Sequence, residues 1–274
     1  NFAPGFQDPC APSRVATGTT SRAANCTADL AGLALTDRSY SLPIISGSNT
    51  GLKAETSDSY TVGAVFQPTY APGLSISVDY YKITVNDVIV TPTAQQIANA
   101  CYDLPGLDNQ YCDLFTRWRG PGTGPGGEQP GDILGNSLTA QPLNFAKRVR
   151  EGIDTQINYR VNLSENVKFS TSLIYTHNFT ISNYQDPTRP NFENRILEEL
   201  GDPADEFRWD ADLSVGDFTL GYRMRYIGPM FLNLYEDFNP LQDRTAQDSD
   251  YADTQRYPAV FYHDLRMEFN VPEG

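Results

Sequence analysis

Apolar and polar side chains alternate with a period of two along residues 149–177. Val149, Ile153, Thr155, Ile157, Tyr159 and Val161 point one way, and Arg148, Arg150, Asp154, Gln156, Asn158 and Arg160 the other, because successive side chains of a strand face opposite sides. After a turn at 163–166, Val167, Phe169, Thr171, Leu173 and Tyr175 oppose Lys168, Ser170, Ser172 and Thr176. This pattern predicts a hairpin with one greasy and one charged face. The same alternation predicts strands over 59–68, 74–89, 143–161, 166–180, 206–215, 217–227 and 259–271. In the second, Ile83 and Val85 take over from Val78 and Tyr80, so the phase slips near Tyr80-Tyr81 and a β-bulge is expected there.

The connections alternate too. Short turns at 69–73, 163–165, 215–216 and from Val271 onward take turns with long polar segments at 1–58, 90–142, 181–205 and 228–258. All tight turns then fall at one end of the sheet and all long loops at the other, as in outer-membrane barrels with brief periplasmic turns and large extracellular loops. A soluble sandwich also alternates. Against it stand strands longer than the usual five or six residues and a polar face carrying Arg208, Asp210, Asp212, Arg223, Arg225, Asp264, Arg266 and Glu268. Both signs on one face suit a watery lumen with cross-strand ion pairs, and Tyr60, Phe66, Tyr159, Tyr175, Phe207 and Tyr226 suit interfacial girdles.

Composition sharpens this reading. Of 274 residues only 39% are hydrophobic, yet sixteen are Tyr and fourteen Phe, and the mean hydropathy is -0.44. The net charge of -14 argues against a nucleic-acid partner, which needs a basic face. No run approaches the length of a spanning helix, so a membrane role must use strands. With no basic and apolar leader at Asn1, either a leader has been removed or the chain starts in mid-protein.

"GLKAETSDSYTVGAVFQP" at 51–68 resembles the N-L-K-P-E-x-S segment that opens a strand in TonB-dependent outer-membrane receptors, with Ala54 in place of the usual proline. "LSISVDYYKITVNDVIV" resembles the next strand of that family, and "FQDPCAPSRVATGTTSRAANC" and "CYDLPGLDNQYCDLF" two of its cysteine-bearing extracellular loops. "EGIDTQINYRV" and "RWDADLSVGDFTLGYRMRYIG" are similar to its later hairpins. The resemblance implies an all-β fold, an antiparallel transmembrane β-barrel segment giving seven strands of a barrel of roughly 22. The family's plug domain, TonB box and closing strand have no counterpart here. The rest of the barrel is therefore expected in other chains, cleaved segments or further sequence, since open edges are intolerable in lipid.

Four cysteines allow three connectivities, of which Cys10 with Cys26 and Cys101 with Cys112 are the most economical. Each closure stabilises by about 3 kcal/mol and implies the periplasm or beyond. The spacings are not those of a zinc site, and His177 and His263 lie on separate strands as rim or girdle residues, so no metal is expected. Other motifs are read as structural. "RGPGTGPGGEQPGD" at 119–132 lacks a phosphate-loop ending and is expected to be a mobile loop tip. "ENRILEELGD" at 193–202 is expected to form a short helix with Ile196, Leu197 and Leu200 on one side, packed over the barrel mouth. Asp243, Asp248, Asp250 and Asp253 offer oxygens for calcium but lack EF-hand spacing. The sequons at Asn25 and Asn178 matter only in a secreted eukaryotic protein.

No catalytic constellation is present; Asp210 and Asp212 share a strand face with Arg208 and are read as ion-pair partners. The resemblance implies TonB-dependent import across a bacterial outer membrane, with no cofactor. Its partners are outer-membrane lipid, TonB through a plug domain, the remaining strands and a small-molecule ligand, either a ferric siderophore or an oligosaccharide or peptide. Candidate ligand contacts are Tyr102, Arg117, Trp118, Arg119, Tyr184, Tyr235 and Tyr251. The rival expectation is a secreted β-rich binding or adhesion module, in which the face of Phe207, Trp209, Phe218, Leu220 and Tyr222 meets a second sheet.

Overall fold

A computed structural model of the chain describes residues 1–270, so the turn expected from Val271 onward lies outside the described residues. The first half contains β1 (Phe2–Gln7), α1 (Pro12–Val15), α2 (Arg22–Leu30), β2 (Ser39–Ser46), β3 (Thr56–Phe66), β4 (Leu74–Val90), α3 (Ala94–Asp103) and β5 (Leu138–Ala140). The second contains β6 (Leu143–Ser164), β7 (Val167–Tyr184), β8 (Asn194–Arg195), β9 (Asp205–Val215), β10 (Phe218–Ile227), β11 (Met230–Phe231), α4 (Tyr235–Phe238), β12 (Arg256–Tyr257) and β13 (Val260–Phe269). All seven strands expected from the alternation are present, each within a few residues of its expected limits.

Those strands form one open sheet in the order β13-β10-β9-β7-β6-β4-β3, with β8 paired to β7. Each long strand therefore lies beside the one before it in the chain, as in an up-and-down barrel wall. β7, β9, β10 and β13 pair antiparallel in continuous register. The turns are as short as expected, with Gly216 (φ 56) leading β9 into β10 and Gly73 (φ 86) ending the β3–β4 turn. Alternation in β4 is still in phase at Lys82, because the Tyr80 hydroxyl and the Lys82 ammonium both reach Glu151 while Tyr81 bonds Asn178. Further along the same strand Asp87 takes a positive φ of 54.

The register lines the apolar residues into rows. Tyr175, Phe207, Tyr226 and Phe261 are consecutive partners across four strands, and the last three rings follow one another at 5.1 and 4.9 Å. Eight residues further along β10, Phe218 pairs with Phe269. At about 3.3 Å per residue the two aromatic rows are about 26 Å apart along the strands, and a tilt of about 40° brings that to about 20 Å, near the height of a barrel's apolar band.

The opposite face is charged. Asp210 pairs with Arg223 at 2.5 Å and Arg208 at 3.0 Å, and Asp212 with Arg266 at 2.8 Å. Asp212 and Arg266 lie on either side of Gly221, whose missing side chain leaves the gap they bridge. Arg225 and Arg208 are direct partners of like charge, and Arg225 stacks over Tyr262 at 5.0 Å.

The chain divides into two compact units. The first comprises Asn1–Thr56, Asn86–Lys147 and Tyr184–Phe192, and the second the other described residues. In the first, β1 pairs antiparallel with β2, and β2 parallel with β5. Four helices were not expected in the long segments, and the one that was expected, at 193–202, does not form. The Ile196 and Leu197 N–H groups both bond the Ile181 carbonyl, Glu198 takes a positive φ of 68, and Leu200 is exposed while Leu197 is buried. Among the described residues no helix is long and apolar enough to cross a membrane, which says nothing about strands.

Candidate functional site

The first unit is assembled from the cysteine-bearing segments. Cys10 is bonded to Cys26 and Cys101 to Cys112, with Cα–Cα separations of 5.4 and 4.7 Å. Cys26 lies on α2 and Cys101 on α3, so each disulfide fixes a helix to a neighbouring stretch of chain. α3 starts on a capping box, in which the Thr93 hydroxyl accepts from the Gln96 N–H and the Gln96 side chain from the Thr93 N–H. Ile97, Ala98, Cys101 and Tyr102 then fall on its buried side, in one core with Phe6, Leu42, Ile133 and Leu138.

Inside that core sits a guanidinium. The Arg117 side chain is 1% exposed. It forks onto Asp8 at 2.7 and 3.0 Å. Its Nε donates to Asp29 at 3.0 Å and to the Tyr102 hydroxyl at 2.7 Å, and its Nη1 to the Gly131 carbonyl at 2.6 Å. The Tyr102 hydroxyl donates to Asp29 at 2.5 Å, and Arg119 holds the other Asp29 oxygen at 2.5 Å. Burial alone disfavours the Arg117 cation, but its bonds to Asp8 outweigh that and keep it charged. Burial pushes the Tyr102 phenol up against the opposing pull of Arg117, and Asp29 adds to the rise, so the phenol keeps the proton it donates. A second buried fork, Arg22 on Asp103 at 2.7 and 2.5 Å, ties α2 to the end of α3.

These contacts fix the places of the candidate ligand residues. Tyr102 is fully buried and Arg117 nearly so, and both spend their polar atoms on protein. Trp118 lies against Gly120 and Gly124, and its indole N–H donates to the Gly122 carbonyl at 3.0 Å. Glu128 accepts from the Gly126 and Gly135 N–H groups at 2.8 and 2.9 Å. Segment 119–132 is thus folded around one ring and one carboxylate rather than a loose tip. Arg119 is half exposed, and Tyr184 carries the Lys147 ammonium 4.1 Å from its ring. Tyr235 and Tyr251 belong to the second unit, Tyr235 beneath Arg195 at 3.9 Å and Tyr251 exposed at the edge of Phe238. The structure therefore joins Tyr102, Arg117 and Arg119 in one network and leaves Tyr235 and Tyr251 in another set of loops. Asp8 and Asp29, which complete the network, carry no signal in the sequence.

Among the described residues no group of three or more His, Cys, Asp or Glu is arranged to hold a metal ion. Burial raises the Asp248 carboxyl and its hydrogen bond with Asp250, in which the protonated Asp248 is the donor, adds to it, so these two acids of the run associate with one another. His177 bonds Asp205 at 2.7 Å, and His263 bonds the Tyr222 hydroxyl at 2.7 Å.

A family model described as "TonB dependent receptor-like, beta-barrel" matches residues 12–274, and the chain belongs to that family, which is an outer-membrane family of receptors. Solved structures similar to it include a double mutant of the ferric enterobactin receptor PfeA from Pseudomonas aeruginosa, at 16% identity and a TM-score of 0.48 over 86% of this chain and 26% of that one. The siderophore receptor PirA from Acinetobacter baumannii is 11% identical with a TM-score of 0.45 over 85% and 27%. The FrpB iron transporter from Neisseria meningitidis is 9% identical with a TM-score of 0.43 over 82% and 26%. The chain thus spans about a quarter of the length of these proteins. No curated protein matches the sequence.

Proposed function

We propose that this chain forms part of the barrel wall and ligand-capturing loops of a receptor that imports a scarce nutrient across a bacterial outer membrane in a TonB-dependent step. The observation that carries this reading is the two-faced sheet, apolar between aromatic rows on one side and ion-paired on the other. Such a sheet suits lipid outside and water inside. β3 and β13 each have one neighbour among the described long strands, and in lipid their free edges call for further strands of the same receptor.

Segments 1–58, 90–142, 181–205 and 228–258 are the extracellular loops in this reading. Trp118, Arg119, Tyr184, Tyr235 and Tyr251 are the ligand contacts in this reading, and Tyr102 and Arg117 brace the segment that carries Trp118 and Arg119. The chain acts by capture and passage, with no bond made or broken, and TonB acts through a plug domain.

The test is uptake by the intact receptor in outer membranes, with TonB present or deleted. A ferric siderophore, a neutral oligosaccharide and a short peptide are the substrates offered. Accumulation of one of them that disappears without TonB is the expected result. Equal accumulation without TonB, or a receptor absent from the outer membrane, overturns the reading.

A further inference from the structure

We infer that a polar cleft in the first unit is a subsite for an uncharged, hydroxyl-rich ligand of the oligosaccharide class, an inference that rests on the import reading. The cleft has a volume of about 480 Å³, within the range of small-molecule sites. Its polar lining includes Gln110, Asp113, Thr139 and Gln141 over a floor of Leu114 and Leu143. No lysine or arginine lines it.

Its chemistry selects the ligand. A ferric chelate bearing negative charge would meet the Asp113 carboxylate with no cation to offset it. A lone carboxylate is also too little to hold a multivalent cation. Amides and hydroxyls both donate and accept, which matches the paired donors and acceptors of vicinal sugar hydroxyls.

The cleft is also built in advance. Gln110 and Asp113 flank Cys112, which is bonded to Cys101. Thr139 sits in β5, paired to Ile45 of β2. Asn49, on the rim, donates to the Pro142 carbonyl at 3.0 Å and accepts from the Gly51 N–H at 2.8 Å, while Ser137 donates to the Leu134 carbonyl at 2.7 Å. By contrast, the Asp113, Thr139 and Gln141 side chains bond no other described residue. Their hydrogen-bonding capacity is unspent, on a backbone fixed by a disulfide and a sheet, and such preorganisation lowers the cost of binding.

The intact receptor, purified in detergent, would be titrated calorimetrically with maltohexaose, laminarihexaose, xylohexaose, a ferric catecholate chelate and a neutral hexapeptide. At least one oligosaccharide is expected to bind. The Thr139→Val/Gln141→Leu double variant, which removes no side-chain hydrogen bond among the described residues, should weaken that binding about tenfold or more, with the receptor's heat-dependent gel shift unchanged. The inference is overturned if no oligosaccharide binds, if the double variant binds as well as the parent, or if only the chelate or the peptide binds. TonB-dependent uptake of the chelate without oligosaccharide binding would sink this inference and leave the import reading standing.

Discussion

Arg117 is a full charge in a core of disulfides and aromatic rings, and its partners decide what it does there. Its guanidinium meets Asp8, Asp29, Tyr102 and Gly131, partners as far as 109 positions away in sequence. A buried pair of this kind adds little net stability over an apolar pair, but removing one partner strands the others, at a cost of about 3–5 kcal/mol. Arg117→Met is therefore expected to loosen the first unit, read as faster proteolysis at residues 1–56 and 86–147 while the sheet keeps its gel shift. Arg117→Lys, which keeps the charge and loses the fork, should fall between. Unchanged protection in Arg117→Met would mean the network holds nothing.

Glu128 makes the pH-dependent counterpart at the same scale. Burial raises its carboxyl, but the N–H groups of Gly135, its own residue and Gly126 outweigh that and hold it below the ordinary value of 4.5. A depressed carboxylate contributes stability that is complete above its unfolded value and lost as pH falls through its folded one. Trp118 emission, in a Trp209→Phe background, should hold steady from pH 7 to about 5 and shift only below about 4.5, as the glycine loop opens. In Glu128→Gln the shifted emission should already be present at pH 7 and vary little with pH. An identical titration in both proteins would remove Glu128 from this role.

At the scale of elements, the two hairpin glycines separate what a turn needs from what a neighbour forbids. Gly216 (φ 56) has open space where a side chain would go, whereas a Cβ on Gly73 (φ 86) would meet the backbone carbonyl of Arg160. Asparagine tolerates the left-handed region, so Gly216→Asn should cost under about 1 kcal/mol. Gly73→Ala adds a backbone clash to about 1–2 kcal/mol of conformational strain and should cut the fraction of folded receptor on a cold gel sharply. Equal yields of the two variants would refute the close approach of Gly73 to the neighbouring strand. Such strands were legible because period-two alternation survives tertiary packing, as with Phe218, Leu220, Tyr222, Met224 and Tyr226 along β10. The helices were less so: α2 and α3 are held by disulfides and by Arg22–Asp103 rather than by a long apolar stripe. One signal was nonetheless present, the Thr93 to Gln96 spacing that caps α3. The helix expected at 193–202 failed because its backbone is bonded elsewhere, the Ile196 and Leu197 N–H groups to Ile181 and the Glu198 carbonyl to the Phe231 N–H, partners at distances in sequence invisible to a local pattern. The Arg117 network was illegible for the same reason.

For the whole molecule the decisive question is what solvent meets each face of the sheet. The central apolar row runs through Thr171, Ala211, Tyr222 and Leu265, and the row of Val167, Val215, Phe218 and Phe269 lies at one edge. In a bilayer an arginine on the lipid face costs about 2–4 kcal/mol at the midplane and about 0–1 near the interface. Ala211→Arg should thus destabilise the receptor far more than Val215→Arg. Ser172→Arg, opposite Asp210 on the ion-paired face, should change stability little. Refolding into bilayers of increasing thickness should enlarge the penalty at Val215, as that row sinks into hydrocarbon, and leave Ser172 unaffected. Penalties that ignore both depth and thickness would mean that this face packs against protein instead of lipid, and the outer-membrane reading would fall with them.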